Sequence, residues 1–108
     1  MPKKKAPTFE ERFESACMAL KLAGLIPAYR GYFYLAECIA TVSEKYNNSE
    51  WEIKLFDVYE QVAIKHQTTP GNIERNIRTA IQSAYLNPNV TAWRLISTIA
   101  DLITPIAA

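Results

Sequence analysis

The sequence predicts an all-α fold, a compact five- to six-helix domain that contains a helix-turn-helix. Apolar residues recur every three or four positions in five successive segments, which places them on one face of a helix. No segment alternates apolar and polar residues in the way that a half-buried strand does. The short connections between segments favour antiparallel or crossed helices around one core.

The first two helices carry clear end signals. Thr8 stands before the first helix and Glu11 lies three positions later, which is the spacing of a capping box, so we expect a helix over about 9–24. Gly24 can end it, because glycine adopts the left-handed conformation that often follows a helix. The second helix is expected over about 31–46, where the polar sequence NNSE follows it.

Three further helices follow along the chain. The third is expected over about 50–66, with Ser49 as its N-cap and Glu52 three positions later. Its inward stripe is predicted to comprise Trp51, Leu55, Phe56, Tyr59, Val62 and Ala63. The fourth helix is expected over about 70–86 and the fifth over about 91–103, with the helix-breaking sequence NPN between them. The inward residues of the fifth helix are predicted to be Ala92, Ile96, Ile99 and Ile103.

Length and composition limit the organisation of the chain. Its 108 residues are enough for one domain, so we expect a flexible basic tail over 1–8 and a single helix-turn-helix domain over 9–108. No apolar run reaches the roughly 18 residues of a membrane span. The N-terminal lysines are not followed by the apolar stretch of a secretory signal. We therefore expect a cytoplasmic protein without a membrane partner.

The sequence has no pattern of a catalytic or metal-binding site. It contains no paired carboxylates, no nucleophile motif and no phosphate-binding glycine loop. Cys17 and Cys38 fall on apolar helical positions without metal-ligand spacing, so we expect buried, reduced thiols. The lone His66 is expected to face solvent or a phosphate group. We expect no enzyme activity, no metal and no cofactor.

Charge is distributed unevenly, although the net charge is only +1. Residues 6–60 hold five basic and nine acidic side chains, whereas residues 61–100 hold four basic and one acidic. Such asymmetry is typical of a protein with one surface for a polyanion, and scatter among so few charges is the alternative. The three lysines of residues 1–5 are interpreted either as a disordered tail or as an arm that follows DNA.

The joint between the third and fourth helices predicts a helix-turn-helix. Thr69 can cap the fourth helix, and Pro70 suits the first helical position because the missing N–H is not needed there. A turn of three to four residues separates the helices, and the small Ala63 permits their close approach. Gln67 replaces the glycine that is usual in such turns.

The outward side of the fourth helix carries the residue types that hold phosphates and read base edges. Arginine can donate two hydrogen bonds to a guanine or a phosphate, and asparagine can pair with adenine. Threonine hydroxyls and the free N–H groups at the start of a helix can bind phosphates. The residues expected there are Thr68, Thr69, Gly71, Asn72, Arg75, Asn76 and Thr79, flanked by Arg78 and Gln82. A polar face that only meets solvent is the alternative explanation.

The run TTPGNIERNIRTAIQSAY resembles the recognition helix of the C-terminal effector domain of the stage-zero sporulation response regulator. The matching positions are Thr68, Thr69, Ile73, Glu74, Arg75, Ile77, Arg78, Ala80, Ile81 and Tyr85. The stretches IPAYRGYFYLAECI and LFDVYEQVAIKHQTT are similar to two further pieces of the same family, in the same order. The resemblance covers about residues 9–86.

This resemblance implies a six-helix DNA-binding domain that recognises a short promoter element in tandem copies, with Glu74, Arg75 and Arg78 at DNA-contacting positions. The chain departs from the family pattern at Asn72, where the family has a base-reading arginine. It also lacks one residue between Pro27 and Gly31 and has a shorter segment before its last helix. Part of that segment touches an RNA polymerase sigma factor in the family. We expect no receiver domain before the effector part, and the chain therefore resembles a stand-alone, shortened version.

Together, these features predict a sequence-specific regulator of transcription that binds double-stranded DNA. Helix 70–86 would enter the major groove, and a homodimer on tandem sites would supply the affinity that one small module lacks. Contact with RNA polymerase or with another regulator is a further expected interaction. The alternative function is a protein-interaction module that sequesters a regulator through its fifth helix and apolar C-terminal end, without binding DNA.

Overall fold

A computed structural model describes residues 6–84 and 89–105, and within them the chain forms five α-helices and no strand. The helices are α1 (Phe9–Leu22), α2 (Arg30–Asn47), α3 (Leu55–Lys65), α4 (Pro70–Gln82) and α5 (Ala92–Ile103). The predicted all-α fold and the order of its helices are therefore confirmed. The lysine tail, the proline of the predicted helix break and the last three residues lie outside the described ranges.

Helix α2 is the central element of the fold. It packs against all four other helices, and eleven of its residues are buried, which explains its nearly continuous apolar sequence. Leu35, Ile39 and Val42 have no solvent exposure. Complete burial of such a side chain stabilises the fold by roughly 1.5–3 kcal/mol. The orientation of the other helices is consequently set by their contacts with α2.

Helix α1 begins with the predicted capping box. The Glu11 N–H donates to Thr8 Oγ1 at 3.1 Å, and the Thr8 N–H donates to Glu11 Oε1 at 2.9 Å. The helix ends at Leu22, and Gly24 follows with a φ of +98°, so glycine is required at this turn. The predicted cap and the predicted role of Gly24 are both confirmed.

The predicted start of the third helix is wrong, because α3 begins at Leu55 and not near residue 50. Ser49 has a φ of +60° and belongs to the end of α2, where its N–H donates to the Tyr46 carbonyl. It therefore cannot cap a following helix. Trp51, predicted to point inward, lies before α3, is 66% exposed and stacks on Tyr46 with 5.0 Å between ring centroids. Phe56 is also exposed rather than inward.

Helix α4 also ends earlier than predicted, at Gln82 instead of near residue 86. Ser83 occupies the C-cap, where its hydroxyl and its N–H both donate to the Thr79 carbonyl. The Thr79 carbonyl thus keeps its partner in the next turn and accepts a second hydrogen bond from the C-cap side chain. The inward residues of α5 are as predicted: Ile96 and Ile99 are buried, and Ala92 and Ile103 pack against the core.

A buried arginine joins three helices, and no sequence pattern pointed to it. Arg12 Nη1 in α1 donates to Ser43 Oγ in α2 at 2.6 Å. The Ser43 hydroxyl lies 2.7 Å from Thr104 Oγ1, whose own proton goes to the Ala100 carbonyl at the end of α5. Because Thr104 donates to a carbonyl and Arg12 can only donate, Ser43 must donate to Thr104. The bonds therefore run in one direction from α1 through α2 to α5.

The two cysteines are free, as predicted. Cys38 is fully buried, whereas Cys17 is only partly buried, so the expectation of burial is confirmed for Cys38 alone. Burial raises the pKa of both thiols. None of the described helices is both long enough and apolar enough to cross a membrane.

Candidate nucleic-acid interface

Helices α3 and α4 are joined by a tight turn over residues 66–69. Gln67 in this turn has a φ of +53°, the left-handed conformation that glycine adopts at least cost. The next N–H, that of Thr68, donates to the Ala63 carbonyl at 2.9 Å. Val62 and Ala63 are buried where the two helices meet. The turn thus has the backbone of a helix-turn-helix, although its left-handed residue is a glutamine.

The start of α4 is capped as predicted. The Asn72 N–H donates to Thr69 Oγ1 at 3.1 Å, and Pro70 occupies the first helical position. Gly71 is exposed, with nothing nearer than 4.0 Å to the position that a Cβ would take. The open first turn of α4 can therefore be approached closely by a ligand backbone.

The outward face of α4 is centred on Arg75. Ile73, Ile77 and Ala80 are buried, and at 100° per residue Arg75 lies almost opposite to them. Arg75 and Thr79 are exposed, and no hydrogen bond or ion pair of the Arg75 guanidinium occurs within the described part of the chain. The predicted exposure of Arg75 is confirmed.

Glu74 and Arg78 form one flank of this face. Arg78 Nη1 lies 3.5 Å from Glu74 Oε1, and the two side chains are 57% and 47% exposed. An exposed ion pair of this kind contributes only about 0.3–0.5 kcal/mol to stability. The arginine can therefore exchange this partner for a phosphate or a base at little cost.

The opposite flank, which faces α2, carries Asn72 and Asn76, and the prediction that both project outward is only partly right. Both side chains are half-buried. Asn76 Nδ2 donates to the Asn72 carbonyl at 2.8 Å and lies 3.2 Å from Asn72 Oδ1. Asn72 Nδ2 in turn donates to Thr68 Oγ1 at 3.0 Å. Three of the candidate residues thus form one connected network along the helix.

A glycine of α2 lets α4 approach closely. A Cβ on Gly31 would lie 2.0 Å from the Asn76 carbonyl oxygen and 2.9 Å from the Ala80 Cβ. No side chain fits in that space, so only glycine permits this separation of α2 and α4. From the sequence we predicted a close approach of α3 and α4 at Ala63, and the structure adds a close approach of α2 and α4 at Gly31.

His66 pairs with a buried carboxylate of α2. Its Nε2 lies 2.7 Å from Glu37 Oε2, and its ring meets that of Tyr34 edge to face at 5.0 Å. Glu37 is buried in α2. His66 is exposed as expected, although its Nε2 is paired with Glu37. A signal was present in the sequence, because Glu37 is a lone carboxylate within the apolar run YFYLAECIA and needs a partner.

These features together define a helix-turn-helix domain with an arginine-bearing outer helix. The chain belongs to the family described as Sporulation initiation factor Spo0A C terminal, whose model matches residues 17–101. This is a family of DNA-binding effector domains that regulate transcription in sporulation, and not a family of enzymes. A comparison with curated proteins found no significant match.

Proposed function

We propose that this chain is a cytoplasmic regulator of transcription that binds double-stranded DNA sequence-specifically, with α4 in the major groove. The observation that carries the proposal is the exposure of Arg75 at the centre of the outward face of a capped helix. Family membership supports DNA binding in general, and the exposed guanidinium is the group that such binding needs.

Different parts of the surface have different roles in this proposal. Arg75 and Arg78 bind bases and phosphates, and Thr68, Thr69 and the Gly71 backbone hold a phosphate at the start of α4. Thr79 extends the contact along the groove, and Glu74 accepts from a cytosine amino group or orients Arg78. The residues follow one another along α4 and the turn before it, so they can reach a few adjacent base pairs.

A single module of this size buries too little surface for tight binding. One small DNA-binding module covers about 600–1,000 Å² of protein surface, which is below the area of most tight complexes. We therefore propose that two copies bind tandem or repeated sites. A separate part of the proposal is contact of this chain with RNA polymerase or with another regulator. This part is supported by family membership.

The test begins with selection of binding sites from a random duplex library, followed by anisotropy titration of the selected site. Arg75→Ala should weaken binding about 5- to 150-fold, which corresponds to about 1–3 kcal/mol. Lys21→Ala is the control, because it removes one positive charge from the end of α1, a helix remote from α4. Equal affinities of wild type and Arg75→Ala, with unchanged circular dichroism, would contradict the proposal.

The alternative is a protein-interaction module, and one observation favours it. Leu102 on α5 is 75% exposed and precedes the apolar C-terminal end, which was predicted to bind a partner in this alternative. The dependence of binding affinity on salt concentration distinguishes the two functions. DNA binding through several phosphates should weaken steeply between 50 and 200 mM salt, roughly 10³-fold or more for six contacts. Apolar binding of a protein partner should change little over the same range.

A further inference from the structure

The amide of Asn72 is held in one orientation by hydrogen bonds. The Asn72 backbone carbonyl can only accept, so the side-chain atom of Asn76 that meets it must be Nδ2. The same Nδ2 approaches the Asn72 side chain at 3.2 Å, so the atom it meets there must be Oδ1. The nitrogen of Asn72 is then the atom directed at Thr68 Oγ1, 3.0 Å away. A backbone group therefore determines which end of the Asn72 amide is oxygen.

These bonds use only half of the hydrogen-bonding capacity of the amide. An asparagine side chain has two N–H donors and two lone pairs on its oxygen. Thr68 takes one N–H from the preceding turn, and Asn76 takes one lone pair from the following turn. One N–H and one lone pair of this amide therefore have no partner in the described part of the chain, and on a planar amide the two can serve as an adjacent donor and acceptor.

An adjacent donor and acceptor match one base edge in the major groove. Adenine presents N7 as an acceptor beside the N6 amino group as a donor, whereas guanine presents two acceptors, N7 and O6. Guanine would therefore place O6 against Asn72 Oδ1, and both atoms are acceptors. We propose that Asn72 reads an adenine and that Thr68 and Asn76 are positioning residues that fix its amide for this contact. The inference rests on the proposed function, since it needs α4 in the major groove.

The position of Asn72 in the helix suits this role. It lies in the first turn of α4, and the N-terminal residues of a recognition helix are the ones that meet base edges. It also lies three residues before Arg75, on the neighbouring part of the same face. The role of Asn76 rests on its own contacts: its side-chain nitrogen donates to the backbone carbonyl and to Oδ1 of Asn72, and its backbone carbonyl lies against Gly31. It therefore supports Asn72 and does not itself donate to a base.

The test compares the sites selected by wild type, Asn72→Arg and Asn72→Ala from the same random duplex library. Wild type should require adenine at one position, and replacement of that base by guanine should weaken binding about 5- to 150-fold. Asn72→Arg should change the preference to guanine at this position only, because arginine can only donate. Asn72→Ala should show no preference there. The preferences at other positions should remain.

Modified bases test the individual atoms. Replacement of the adenine by 7-deazaadenine removes N7 and should weaken wild-type binding, while binding of Asn72→Ala should not change. Asn76→Ala and Thr68→Val should each reduce the discrimination between adenine and guanine without changing the dependence of affinity on salt. Thr98→Val is the matched control, because Thr98 is an exposed threonine on α5. Circular dichroism of each variant establishes that it is folded.

The outcomes distinguish this inference from the proposed function. Salt-dependent duplex binding whose base preference is unaffected by Asn72→Arg would overturn the assignment of Asn72 and leave the proposed function intact. Absence of any duplex binding by folded wild type would overturn both. Loss of adenine preference in Asn72→Ala, but not in Asn76→Ala or Thr68→Val, would overturn the positioning roles alone.

Discussion

His66 Nε2 lies 2.7 Å from Glu37 Oε2, and this contact fastens the turn between α3 and α4 to the central helix α2. No other hydrogen bond to the Glu37 carboxylate occurs within residues 6–84 and 89–105. A carboxylate with little exposure to water depends strongly on its partner, because an unsatisfied buried acceptor is costly. The position of the helix-turn-helix joint is thus coupled to a group in the core.

Replacement of His66 by phenylalanine should destabilise the protein by about 1–3 kcal/mol, because the ring is kept while the partner of Glu37 is lost. The edge-to-face contact with Tyr34 can remain, so the loss reports mainly on the hydrogen bond. Urea unfolding followed by circular dichroism measures the effect. In the double variant, Glu37→Gln should restore part of the stability, because a neutral amide is less costly to bury. If Glu37→Gln has the same effect in both backgrounds, the two side chains are not coupled.

Gly31→Ala should destabilise the protein by about 3 kcal/mol or more, at the upper end of the range for an overpacked core. The added Cβ would lie 2.0 Å from a backbone oxygen, which cannot move without displacing α4. Gly71→Ala is the matched control, because a Cβ there meets open space, and it should stabilise the helix by roughly 0.5–1 kcal/mol. Thermal unfolding of both variants measures the difference. A Gly31→Ala protein as stable as wild type would show that α2 and α4 are farther apart.

Thr8→Ala should lower the free energy of unfolding by about 1 kcal/mol at neutral pH, since it removes the N-cap of α1. The cap also makes stability depend on pH. The hydrogen bonds from Thr8 lower the pKa of Glu11, so the contribution of this carboxylate is present above the ordinary glutamate pKa and is lost as pH falls below it.

Urea unfolding between pH 3 and 7 tests this dependence. Glu11→Gln should remove part of the acid sensitivity, and the difference in stability between this variant and wild type should shrink as the pH falls. Glu10→Gln is the control, because this residue lies in the same turn without the capping bond. An equal effect of the two substitutions at every pH would mean that the helix dipole, and not the cap, governs Glu11.

The two cysteines should react with a thiol reagent at very different rates. Burial raises the pKa of both thiols and keeps them protonated at neutral pH. In a Cys17→Ser protein, the remaining Cys38 should react only as fast as the protein unfolds. In a Cys38→Ser protein, the partly exposed Cys17 should react faster, without global unfolding. Rapid labelling of Cys38 in the folded protein would contradict its position in the core.

The helical spacing of apolar residues was sufficient to predict α4 and which of its faces points outward. Ile73, Ile77 and Ala80 recur at helical spacing and are buried, so the position of Arg75 on the outward face followed from the sequence alone. The caps at Thr8 and Thr69 were predictable for the same reason, because a cap and its partner lie within one turn. Local features of this kind depend on neighbours in the chain, and the sequence displays those neighbours directly.

Features that depend on distant residues could not be predicted in this way. His66 and Glu37 are 29 positions apart, and their contact exists only once α2 and the turn have packed together. The start of α3 was misplaced because Ser49 and Glu52 imitate a capping box, whereas the left-handed backbone of Ser49 ends α2. The half-buried state of Asn76 likewise depends on Gly31 in another helix.

The left-handed glutamine at position 67 has a practical consequence for finding related proteins. A search pattern that demands glycine in the turn would overlook this chain, whereas the pair Thr69-Pro70 that opens the next helix would detect it. A side chain in this conformation also carries a strain of roughly 1–2 kcal/mol relative to glycine. The stability of the turn between α3 and α4 can therefore be changed at Gln67, which is not among the residues proposed to contact DNA.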